Sequence, residues 1–155
     1  MAQSVKISGL ERLREDFQKL ADELPEMRRE IHEELAGQMR GEVEEALARK
    51  AGSSTGKVAG WQEGYVGTKG GYAAVRPRAK TSYRGYAVGQ ITNAIENGHA
   101  IRRPSGRWKG YRARVKKRYV LGLHFYREVQ GGKLEKLAID AANRMADRIE
   151  KALGR

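Results

Sequence analysis

The sequence predicts an α+β protein: a long N-terminal helical segment and a C-terminal helix packed on a small antiparallel sheet, with long glycine-rich and basic loops. Three observations carry this expectation. Apolar residues recur at helical spacing near both ends of the chain. Between them lie short runs rich in aromatic and β-branched residues, separated by glycines. The charge divides in the same way: residues 1–50 carry 9 basic and 12 acidic side chains, residues 51–130 carry 16 and 3, and residues 131–155 carry 6 and 4. A mixed-charge helical frame therefore brackets a strongly basic centre.

The elements follow in order. Ser4-Val5-Lys6-Ile7 alternates polar and apolar, as a short edge strand does, and Ser8 is placed to cap a helix. Leu10, Leu13, Phe17, Leu20 and Leu24 lie at helical spacing. Pro25 interrupts, so a second helix starts there or one long helix kinks there. Met27, Ile31, Leu35, Met39, Val43 and Leu47 continue in steps of four, and Gly52 is a natural stop. Trp61 to Thr68 and Tyr72 to Arg78 read as two strands joined by Lys69-Gly70-Gly71, with Pro77 at an edge or strand end. Tyr86 to Gln90 and Ile91 to Ile95 are further strand-like runs, and Asn97-Gly98 is a tight-turn dipeptide. Tyr119 to Tyr126 reads as another strand, and Gly131-Gly132 ends the sheet region. A last helix runs from about Lys133 to Leu153 on the stripe Leu134, Leu137, Ala138, Ala141, Met145, Ile149, Ala152 and Leu153. Ile95, Leu121, Leu123 and Phe125 are the expected shared core.

Length and composition bound the class. A chain of 155 residues reads as a single domain over 1–155, with mobile loops at about 51–60 and 100–118. At that size a core forms without metal or disulfide support. There is no cysteine, so thiol chemistry is excluded. No apolar run approaches a membrane span, and the N-terminus lacks a signal-peptide core, so the expected setting is the cytosol, with no membrane partner.

Motifs for chemistry are weak. Gly52-Ser-Ser-Thr-Gly-Lys57 resembles a phosphate loop only in part. Its first glycine falls on Ala51, and Val58 replaces the hydroxyl that would hold Mg²⁺. A flexible connection is the ordinary reading. His32, flanked by acids on a helix, reads as a solvated residue, and His99 and His124 do not complete a zinc spacing. Glu63, Glu96 and Glu128 are the only acids of the central region. No set supplies complementary catalytic roles, so no enzyme, catalytic residue, metal or cofactor is expected.

The sharpest feature is Arg102 to Arg118, RRPSGRWKGYRARVKKR, with nine Lys or Arg and no acid. Arg102, Arg103, Arg107, Lys109, Arg112, Arg114, Lys116, Lys117 and Arg118 supply the charge, and Trp108 and Tyr111 the aromatic faces. Cations interleaved with aromatics suit phosphate contact with base stacking. They suit an acidic neighbour in an assembly equally well.

Several pieces in order resemble the tail-completion or head–tail joining proteins of tailed bacteriophages. Val5-Lys6-Ile7-Ser8-Gly9-Leu10 is similar to that family's opening before a long helix. Thr55-Gly56-Lys57-Val58 stands where the family has T-G-x-L, and Ala94-Ile95-Glu96-Asn97-Gly98-His99 where it has an acidic-glycine turn. Leu123-His124-Phe125-Tyr126-Arg127 resembles its late aromatic motif before a C-terminal helix. The family-like residues are Thr55, Gly56, Glu96, Gly98, His99 and Phe125. The usual proline before T-G is missing, and the basic insert after His99 is long.

The resemblance implies a structural subunit of a phage neck or tail. Such a subunit completes or terminates the tail tube and joins it to the head, as part of an oligomeric ring that is often a hexamer. Its partners would be other copies of itself, head-completion or connector proteins, the tail tube protein and the DNA passing through the channel. It would be assembled in the host cytoplasm and reside in the virion. The alternative is a sequence-tolerant nucleic-acid-binding protein using residues 102–118.

Overall fold

The computed structural model describes residues 9–51, 56–101 and 118–154. It is α+β, with about 69% of the described residues helical, a long N-terminal helix, a C-terminal helix and small antiparallel sheets. The elements are α1 (Leu10–Ala51), α2 (Gly56–Gly60), β1 (Gln62–Val66), β2 (Ala73–Pro77), β3 (Ser82–Tyr83), β4 (Tyr86–Ala87), α3 (Val88–Asn97), β5 (Gly98–Ala100), β6 (Tyr119–Leu121), α4 (Phe125–Gly132) and α5 (Leu134–Ala152). Among the described residues the strands form three separate two-stranded ribbons, β1-β2, β3-β4 and β5-β6, rather than one sheet. The expected strand at Ser4–Ile7, the Ser8 cap and the Gly52 stop lie outside the described residues.

One helix runs through Pro25 to Ala51. Contacts divide the chain into two compact units. The first holds α1 up to Met39, the 64–74 segment and α5. Its core is Ile31 and Leu35 of α1 against Ala141 of α5, flanked by Met39, Ala73, Leu137 and Met145. The turn between β1 and β2 is clamped onto α1. Arg28 Nη2 donates to Lys69 O at 2.8 Å, and His32 Nδ1 lies 2.6 Å from Gly70 O. A carbonyl only accepts, so that ring nitrogen carries the hydrogen. His32 is therefore a half-buried anchor, not the solvated residue its acidic neighbours suggest.

The second unit holds α1 from Arg40, residues up to Glu63, and Val75 to Lys133. Its core joins Val43, Ala46 and Leu47 of α1, Val58 of α2, and Phe125 and Val129 of α4, with Ile95 and Leu123 packed against it. The exception among the expected core residues is Leu121, which is 82% exposed at the end of β6.

Three local expectations are corrected here. Tyr86–Ala87 is a strand, but Val88 to Ile95, expected as strand, lies in helix α3 (Val88–Asn97). Its buried residues Val88, Thr92 and Glu96 step by four, and that period outweighs the β-branched composition. The strand expected to run to Tyr126 stops at Leu121, and Phe125 opens helix α4. Gly131 and Gly132 accordingly end a helix rather than a sheet.

Candidate functional site

The site singled out by sequence is the basic segment, and the structure defines its root. Of the candidate residues, Arg102, Arg103, Arg107, Trp108, Lys109, Tyr111, Arg112, Arg114, Lys116 and Lys117 lie outside the described residues, as does Thr55. Arg118 is described and exposed. The segment departs from and returns to one antiparallel ribbon. Gly98 pairs with Leu121, His99 with Val120 and Ala100 with Tyr119. Ile101 N–H extends the ladder to Arg118 O at 2.9 Å. Both ends of the segment are thus fixed side by side on a two-stranded stem, as in a hairpin. The stem exposes Tyr119, Val120 and Leu121.

A compact socket of α3 and α4 holds the stem. Asn97 and Gly98 form a helix end rather than the expected tight turn between strands, with Gly98 at φ 79°, ψ 173° as the C-cap of α3. That backbone region is essentially restricted to glycine. There is also no room for a side chain. A Cβ on Gly98 would lie 2.7 Å from Gly122 N, and one on Gly122 would lie 2.7 Å from Gly98 N. The two glycines let the end of α3 and the strand leaving the stem touch backbone to backbone. Leu123 N–H then donates to Ile95 O at 2.8 Å and His124 N–H to Glu96 O at 3.0 Å. These bonds satisfy carbonyls that the end of α3 would otherwise leave open. Tyr119 adds its hydroxyl to Asn97 O at 3.0 Å.

Glu96 is the buried carboxylate of this socket, 6% exposed. Its Oε2 accepts Tyr126 N–H at 3.0 Å and its Oε1 accepts Arg127 N–H at 3.2 Å. These are first-turn amides of α4, where a helix end favours negative charge. His124 supplies the left-handed residue, φ 52°, from which α4 starts. Both carboxylate oxygens are engaged by backbone, so Glu96 works as a helix cap supplied from a neighbouring helix. Phe125, fully buried, is tilted against Tyr126 at 4.5 Å. Tyr126 donates its hydroxyl to Gln62 Oε1, and Gln62 Nε2 donates to Val58 O at 2.9 Å. Burial, with a smaller contribution from the Glu96 charge, pushes the Tyr126 phenol up to about 12. On the outer side, Glu128 receives Arg49 at 2.8 Å and Lys50 at 2.9 Å. Bonds from Lys50 and Arg49 hold its carboxyl below the usual value.

The structure brings together Glu96, Gly98 and Phe125 of the family-like residues, and places His99 in the exposed stem. Gly56 instead opens α2.

A second cationic feature was missed by the sequence reading. Tyr83 packs on Trp61 at 5.3 Å, with Lys57 Nζ 5.1 Å and Arg84 Cζ 5.4 Å from its ring centre. Lys57 also donates to the Tyr83 hydroxyl at 3.2 Å. That bond, and then the Arg84 charge, hold the Tyr83 phenol below its ordinary value. Beside it Arg78, Lys80, Thr81 and Ser82 line a shallow hollow. The signal was available: no acid occurs between Glu63 and Glu96, while Lys69, Arg76, Arg78, Lys80 and Arg84 do.

Among the described residues no cluster of His, Asp or Glu is arranged to hold a metal, and no helix is long and apolar enough to cross a membrane. No family model, curated protein or solved structure matches the chain.

Proposed function

We propose that the chain is a non-catalytic structural subunit of a phage neck or tail, one that completes the tail tube and joins it to the head within an oligomeric ring. The observation that carries the reading is the stem and its socket. Glu96, Gly98 and Phe125, three residues of the phage-like motifs, build the mount from which a highly basic segment is presented. A rigid mount for a charged arm suits a subunit that must engage an acidic neighbour in a fixed direction. The two-stranded stem with exposed apolar side chains also suits strand addition between copies.

The test is electron microscopy and light scattering of the chain alone and with a phage tail tube protein. Rings, or caps on tube ends, are expected. A chain that stays monomeric and joins neither tubes nor connectors overturns the reading.

A second reading, sequence-tolerant nucleic-acid binding, is favoured by the Lys57–Tyr83–Arg84 cluster, which adds cations and an aromatic face outside the arm. Steep salt dependence of DNA or RNA affinity would support it. Charge reversal at Arg112, Arg114, Lys116 and Lys117 separates the two. Loss of nucleic-acid affinity with assembly intact favours the second reading, and loss of assembly favours the first.

A further inference from the structure

Helix α1 carries two different apolar periods. From Ile31 the residues Ile31, Leu35, Met39, Val43 and Leu47 step by four, the row that packs in globular cores. From Leu10 the steps alternate three and four: Leu10, Leu13, Phe17, Leu20, Leu24, Met27 and Ile31. That is a 3.5-residue period, the seam of a left-handed coiled coil. The two segments also differ in burial. Ile31, Leu35, Val43 and Leu47 are buried. Leu10 is 61%, Leu13 49%, Phe17 53% and Leu24 37% exposed.

Among the described residues, neither hydrophobic core includes a residue of this stripe before Ile31, and only Leu20 and Met27 of it are half-buried. In the same unit, α5 lays Leu137, Ala141 and Met145 on Ile31, Leu35 and Met39. Its ion pairs with α1 reach no further back than Glu30, which Arg148 contacts. The segment from Leu10 to Met27 extends beyond them for about 27 Å at the usual helical rise.

We propose that Leu10–Met27 pairs with the same residues of a second copy of the chain, parallel and in register. The inference stands independently of the phage reading. With Leu10, Phe17 and Leu24 at the a positions and Leu13, Leu20 and Met27 at d, the flanks are Arg14, Ala21 and Arg28 on one side and Asp16, Glu23 and Glu30 on the other. A parallel pair sets Glu23 of each helix against Arg28 of its partner, and Asp16 against Ala21, with no like charges opposed. An antiparallel pair centred on the same seam sets Asp16 against Glu23 twice, which is repulsive. Arg28 also donates one N–H to Lys69 O, and its fork has further N–H groups to offer.

A membrane surface fits poorly. The segment carries six acids, Glu11, Glu15, Asp16, Asp22, Glu23 and Glu26, against Arg12, Arg14 and Lys19, whereas a surface-seeking helix is rich in cations. Pro25 lies at a b position, away from the seam. A coiled coil this short is marginal when it must also nucleate its helices, but here each helix continues into a folded core. Parallel, in-register pairing is also what cyclic symmetry imposes on helices that run along its axis.

The chain has no cysteine, so single cysteines report the pairing directly. Full-length Leu13→Cys and Leu20→Cys are expected to oxidise to covalent dimers, because equivalent seam positions approach within disulfide reach. Asp22→Cys, on the outer face, is expected not to. A mixture of Leu13→Cys and Leu24→Cys tests the antiparallel arrangement, which would put those two opposite each other. Light scattering is expected to give at least twice the 17.4 kDa chain mass, falling to the single-chain mass in the Leu13→Glu, Leu20→Glu double variant. Its circular dichroism should remain helical, since Leu13 is exposed and Leu20 half-buried in the single chain. A chain monomeric at every concentration, preferential Leu13–Leu24 cross-linking, or an oligomer indifferent to the glutamates overturns the proposal.

Discussion

The unit built around Phe125 buries whole polar side chains, whereas the buried side chains described in the unit built around Ile31 and Ala141 are apolar and its polar side chains are at most half-buried. In the first, Gln62, Thr92 and Glu96 are all buried. Gln62 bonds Val58 O and Tyr126, Thr92 Oγ1 lies 3.5 Å from Gln62 Nε2, and Glu96 takes two backbone amides. In the second, Arg148 reaches Glu30 and Glu34, while Arg144 Nε lies 3.4 Å from Glu34 Oε2 at ion-pair distance without hydrogen-bond geometry. These side chains are 34% to 54% exposed. Buried, satisfied polar groups permit few alternative packings, because any rearrangement leaves one unpaired at a cost of about 1–3 kcal/mol. Exposed pairs exert no such constraint. The stem of the basic segment thus belongs to the unit whose geometry is more narrowly determined.

The strongest way to break this contrast is Phe125→Ala. Phe125 is fully buried where α1, α2 and α4 meet, so the loss should be about 3–5 kcal/mol, read as a lower denaturation midpoint. Amide exchange should quicken first in α3 and α4. A loss under about 1 kcal/mol would show that this core readily collapses around the gap.

Glu96→Ala tests the cap and should cost about 1–3 kcal/mol, since it leaves two first-turn amides of α4 without their acceptor. Glu96→Gln, which keeps one oxygen acceptor, should recover part of that. If alanine and glutamine both matched the parent in urea denaturation, the socket would not depend on the cap.

Alkaline pH probes the same network. The folded Tyr126 phenol is pushed up to about 12, against an ordinary value of 10.0. Below pH 10 it is protonated in both folded and unfolded chains. Between about pH 10 and 12 only the unfolded chain loses the proton, so stability should fall across that window. Tyr126→Phe should flatten that part of the stability–pH curve. Tyr83, held below its ordinary value, works in the opposite sense, so the difference between parent and variant is the quantity to measure. An unchanged slope in the variant would remove Tyr126 from the account.

Legibility in the sequence follows the same division. Both long helices, and the hairpin around Lys69-Gly70-Gly71, were readable because each rests on local periodicity or a local turn signal. Glu96 was visible as an isolated acid beside Gly98. Its role was not, because the amides it caps lie thirty residues onward in sequence. Tertiary pairing of this kind also explains the strand expected over Leu123–Tyr126. The apolar run there reads as β, but the bonds from Leu123 and His124 to the end of α3 turn the chain into a helix. The Lys57–Tyr83 contact likewise joins positions that no short-range pattern links.

The smallest expected effect is at the other unit's surface. Arg148→Met removes both ion pairs to Glu30 and Glu34 while retaining a long apolar stem over the helix seam. Exposed pairs of this kind contribute about 0–1 kcal/mol, so the midpoint should move little. The useful reading is the salt dependence. At roughly 1 M salt the screening length falls to about 3 Å, so the gap between parent and variant should shrink as salt rises. A gap above about 2 kcal/mol that salt leaves unchanged would mean that Arg148 contributes chiefly by packing. The unit around Ile31 would then resemble the unit around Phe125 more closely than its exposed charges indicate.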